Sequence, residues 1–232
     1  VSLFESILRI GSAAHVLWLC KANCELWDFL IGCVEGNEPP DPHAVAQNLL
    51  SVEAGYWRYG EKAMPTIKKW ARNYIAGRVG VNLLLTISED KGIGIPEDIL
   101  TSISGAQQLG QILFENRDQI NATEVRMQLN RLLDKNPKLL ACTKGVTSNI
   151  VEFLRYSLGQ RQTADQESRN YDQGYWLKKS GNYSAAPWVV SAGPVSLLAL
   201  AHCCSRGSTA PKTIEDFCRS LGSYGISVRA SE

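Results

Sequence analysis

Apolar positions along the first 34 residues recur at helical spacing rather than in strict alternation. Phe4, Ile7, Leu8, Gly11 and Trp18 make one such set, and Leu26, Trp27, Leu30 and Ile31 make a second. Asn23 stands between the two sets and reads as the N-cap of a new helix. Glu38-Pro-Pro-Asp-Pro42 then interrupts the pattern. Asp41 can cap the next helix, with Pro42 at its first position and Val45, Leu49, Leu50 and Val52 turned inward. From Pro65 onward Ile67, Trp70, Ala71, Tyr74, Ile75 and Val79 share a face, and Lys68, Lys69 and Arg72 fall mostly on the other. Val79–Ile95 fits a strand as well as a helix, because Gly77, Gly80 and the run Leu83–Ile87 suit either.

Further along, Pro96-Glu-Asp98 predicts the start of a short helix, and Ala106–Phe114 carries another. Asn121-Ala-Thr-Glu124 has the spacing of a capping box before Val125, Leu129, Leu132 and Leu133. Thr147 or Ser148 is placed to cap a helix through Val151, Phe153, Leu154 and Leu158. Gln160–Asp172 is almost devoid of apolar residues. Beyond it, Tyr175-Trp-Leu177 and Trp188-Val-Val190 read as two strands around a polar turn carrying Lys178 and Lys179. Pro194–His202 and a Thr213-capped segment through Leu221 complete the pattern as helices. The fold expected is mainly α. A helical N-terminal domain spans 1–160, a linker or exposed loop spans 161–172, and a smaller helical unit with one short β-hairpin spans 173–232.

Composition narrows the class. The chain has 232 residues, 44% hydrophobic and 20% charged, enough to bury a core without disulfides or metal. Seven cysteines, an odd number, read as reduced thiols and a cytoplasmic setting. The apolar stretch Ala13–Cys20 is short for a bilayer span and lacks a basic leader, so no membrane partner is expected. The net charge is only +1, yet it is unevenly spread. Residues 1–57 hold seven acids and two bases, whereas residues 58–80 hold six bases and one acid.

One short string has a family resemblance. Asp90-Lys-Gly92-Ile-Gly94-Ile-Pro96 resembles the D-x-G-x-G-I-P box of ATPases of the histidine-kinase and gyrase type. There the Asp reads the adenine amino group and the glycines let the backbone approach the nucleotide. The resemblance implies a strand over Leu83–Ser88 leading into the box, and a divergent nucleotide-binding enzyme. It covers about a dozen residues; the Asn-bearing helix upstream and the G-x-G-L-G-L lid downstream are missing. The bottom-up reading of the same string is a glycine turn before a helix with Pro96 at its start.

The remaining chemistry is sparse. His202-Cys203-Cys204 and Cys218, or Cys20 and Cys24 with His15, do not have the paired spacing of a zinc site, so these cysteines read as small core hydrophobes. No nucleophile, metallopeptidase or P-loop motif occurs. No cofactor, metal site or catalytic residue is expected, and the residues favour a non-catalytic binding protein. The leading expectation is contact with DNA or RNA through Lys62, Lys68, Lys69 and Arg72, interleaved with Trp57, Tyr59, Trp70 and Tyr74. Lys178 and Lys179 would contribute from the hairpin turn, in a hairpin–helix order reminiscent of winged-helix modules. The alternative is a helical protein–protein adaptor, its acidic first 57 residues facing a basic partner.

Overall fold

The computed structural model describes residues 2–50, 57–159, 174–181 and 183–228. The fold is mainly α. Its helices are α1 (Ser2–Val34), α2 (Pro42–Leu50), α3 (Ala63–Asp90), α4 (Ile103–Glu115), α5 (Ala122–Lys135), α6 (Val146–Leu158), α7 (Pro194–Ser205) and α8 (Ile214–Gly222). Four short strands accompany them: β1 (Trp57–Arg58), β2 (Leu177–Lys179), β3 (Trp188–Val190) and β4 (Ile226–Ser227). The linker expected at 161–172 lies outside the described residues.

The chain forms two compact units, each assembled from separated stretches. The first comprises Val1–Trp18, Val52–Lys69 and Asn149–Glu232; the second comprises Leu19–Ser51 and Trp70–Ser148.

One expectation for α1 is corrected. Asn23 does not start a new helix: its side chain donates back to the Leu19 carbonyl at 2.9 Å, so the turn continues through it. Because the helix is unbroken, it is longer than its two apolar sets suggest separately. By length and composition, Leu3–Val34 is long and apolar enough to cross a membrane, and 28% of its apolar window is buried.

The second unit has a dense apolar core. Trp27, Leu30 and Ile31 of α1, Val81 and Leu84 of α3, Leu109 and Leu113 of α4, and Val125 and Leu129 of α5 are all buried in it. Residues 79–90, which fitted either a strand or a helix, are helical, and so is the strand implied over Leu83–Ser88. Val81, Leu84 and Ser88 fall on one buried stripe at spacings of three and four, which strand alternation could not provide. The helix then stops in a Schellman motif. Gly92 adopts φ +73°, its N–H bonds to the Glu89 carbonyl at 2.9 Å, and the Ile93 N–H bonds to the Ser88 carbonyl at 2.9 Å. Ile93 completes the motif by entering the core. A helix stop thus accounts for the first glycine, Gly92, of the 90–96 string.

Of the other expected starts, Pro96 does not begin a helix, since the short 3-10 turn there is Ile99–Thr101 after Asp98. Asp41 Oδ1 accepts from the His43 and Ala44 N–H groups, and Asn121 Oδ1 accepts from that of Glu124. Thr147 and Ser148 lie inside the first turn of α6 instead of capping it. Their hydroxyls donate to the carbonyls of Leu139 and Gly145.

In the first unit β2 and β3 pair antiparallel, with Leu177 opposite Val190, Lys178 opposite Val189 and Lys179 opposite Trp188. The chain at Lys62 bridges to Val189 on the far side of β3, and β1 pairs in parallel with β4. Leu177 and Val190, opposite one another, are essentially inaccessible and mark the inner side of this small sheet.

Candidate nucleic-acid interface

Register decides where the lysines of the sheet go. Residues directly opposite one another across a ladder share a face. Val189 is opposite Lys178 on one side and opposite Lys62 on the other. The three side chains therefore form one row, Lys178–Val189–Lys62, spanning two strand spacings or about 10 Å. This row lies on the face opposite the buried pair Leu177 and Val190. Lys62 is exposed and Lys178 half-buried.

Lys178 and Lys179 are strand residues, which corrects their expected place on the turn. Neighbours on a strand point to opposite faces, and the two lysines differ accordingly. The Lys179 ammonium donates to the Ser184 carbonyl at 2.8 Å and lies 5.8 Å from the centre of the Trp188 ring. It is held by its own hairpin.

On α3, Lys68, Lys69 and Arg72 are exposed and occupy about a 100° sector of the helix. The helix has no acid before Glu89 and Asp90 at its far end. Lys68 and Lys69 stand in its second turn. Lys62, Lys68, Lys69, Lys178 and Lys179 belong to the first unit. Arg72 belongs to the second, where its Nε donates to the Leu140 carbonyl at 3.2 Å.

The expected aromatic partners divide differently. Tyr59, Trp70 and Tyr74 are half-buried, and the side chain of Trp57 lies outside the described residues. Tyr183 is an aromatic that sequence reasoning passed over. It is 62% exposed at the hairpin tip, with its ring over Gly181, where a Cβ would come within 2.7 Å of Cε1. The signal was available, since an aromatic in a polar Gly-Asn-Tyr-Ser turn has no core to enter.

The division into units also sorts the charge. The first unit carries fourteen bases and ten acids, the second ten bases and thirteen acids. A chain of net +1 is therefore two bodies of +4 and −3, and five of the six expected contact residues sit on the positive one.

Among the described residues no three His, Cys, Asp or Glu side chains converge to hold a metal ion. No family model matches the chain, and no curated protein or solved structure matches it either.

Proposed function

We propose that this is a non-catalytic, cytoplasmic nucleic-acid-binding protein that engages phosphates through the lysines of its first unit. The observation that carries the reading is the concentration of positive charge on that unit, with Lys62 and Lys178 aligned on one sheet face. Lysines pair with phosphates as point charges, and binding then proceeds by counterion release. Exposed Tyr183 offers a face on which a base can stack.

Titration of labelled single-stranded RNA, single-stranded DNA and duplex DNA at low salt tests it. Four phosphate contacts give a log–log salt slope of about −3. Reversing Lys68 and Lys69 to Glu should weaken binding strongly. No binding at tens of micromolar protein would retire the proposal.

The adaptor reading has its own support. Phe4 and Leu8, one turn apart on α1, are 66% and 53% exposed. It takes precedence if the titrations show no nucleic-acid binding.

A further inference from the structure

A second site lies in the first unit, between the end of α7, the loop that follows it and α8. It is a pocket of about 440 Å³ lined by Arg206, Ser208, Lys212, Asp216, Arg219 and Ser220, among others. The volume is within the range of small-molecule sites. We propose that this pocket binds the phosphate monoester of a small metabolite.

Charge supports the assignment. Three cations face one carboxylate, and that carboxylate is already engaged. Asp216 Oδ2 accepts from the Thr213 N–H at 3.1 Å and from its hydroxyl at 3.0 Å, while Oδ1 accepts from Arg219 at 3.1 Å. The residual +2 matches the charge of a phosphate monoester near pH 7. Arg219 retains donors beyond the one given to Asp216, because a guanidinium carries five. Ser208 Oγ accepts from the Ala210 N–H at 3.2 Å, which leaves its own proton for a ligand oxygen.

Backbone conformation is the second, independent observation. Arg206 is the C-cap of α7 with φ +48° and ψ 36°, in the left-handed region that favours glycine. Gly207 follows immediately, so a glycine one residue earlier would close the helix with less strain. The residue kept there is an arginine, and it lines the pocket. Strain retained at a lining position points to a ligand role. The site shares no residue with the lysine face and does not depend on it.

Calorimetry and 31P NMR with inorganic phosphate, a nucleoside 5′-monophosphate and the unphosphorylated nucleoside provide the test. Both phosphates should bind with a Kd of roughly 1 mM or tighter, the level that three charge-assisted contacts support, and the nucleoside should not. Arg206→Gly relieves the backbone strain, so it should melt no lower than the parent protein. Combined with Lys212→Ala, it should weaken phosphate binding at least tenfold. Binding that survives both substitutions, or no binding at tens of millimolar phosphate, overturns the proposal. A 5′-phosphorylated oligonucleotide is compared with its 5′-hydroxyl twin. Tighter binding confined to that oligonucleotide, with none by the nucleoside monophosphate, overturns the small-molecule source.

Discussion

Gly80 lies directly beneath the indole of Trp27, so close that a Cβ at position 80 would come within 2.6 Å of ring atom Cε3. Trp27 is 7% exposed within the core of the second unit, and its ring has nowhere to retreat. Alanine in a helix ordinarily gains about 1 kcal/mol over glycine. Here overpacking costs about 1–3 kcal/mol and wins. Gly80→Ala should therefore lower stability in denaturant titrations. Gly11, also helical, has nothing within 4 Å of its would-be Cβ. Gly11→Ala should raise stability by about 0.5–1 kcal/mol. Shifts of the same sign in both variants would contradict the packing described for α1 and α3.

Lys178 and Lys179 should separate binding from stability. Lys178 belongs to the outward row with Lys62, so Lys178→Ala should weaken nucleic-acid binding. Its stability should stay within about 0.5 kcal/mol of the parent. Lys179 holds the hairpin through Ser184 and Trp188, so Lys179→Ala should cost about 1 kcal/mol and change binding less. Thermal melts and anisotropy titrations on the two variants decide it. The reversed pattern would show that the strand faces are misassigned.

The cap of α8 should respond to acid. Hydrogen bonds from the Thr213 backbone and then its hydroxyl hold the Asp216 carboxyl below its usual range, with Arg219 and Lys212 adding to the effect. A depressed carboxyl stabilises the fold fully above the unfolded-state value of about 3.9. That contribution is lost as pH falls through the lower folded value. The stability difference between the parent protein and Asp216→Asn should thus be constant above about pH 5 and vanish in stronger acid. Urea titrations across that range measure it, and a difference that grew on acidification would refute the cap geometry.

Burial should silence two thiols. It pushes the Cys20 thiol up to about 12 and that of Cys33 to about 11. Thiolate is the reactive form, so neither should be alkylated in the native protein at pH 8. Half-exposed Cys24, Cys203 and Cys218 should be labelled first. Peptide mapping after a short iodoacetamide pulse gives the order.

What the sequence determined by itself was local. Asp41, Asn121 and the Thr213–Asp216 box carry capping groups that act within three residues, and each caps the helix its position predicts. The mainly α class was legible for a similar reason, because helical periodicity is written along the chain. Asn23 and Leu83–Ser88 were not legible, since an isolated Asn or a run of leucines fits more than one backbone. Burial against α1, α4 and α5 chose the helix for the second of these. Nor could the chain order reveal that basic and acidic stretches would be sorted into two discontinuous units. Strand pairing across Val189 was equally hidden, because it joins Lys62 to Lys178 over more than a hundred residues. Those relations depend on which distant segments pack together, and only the tertiary structure decides that.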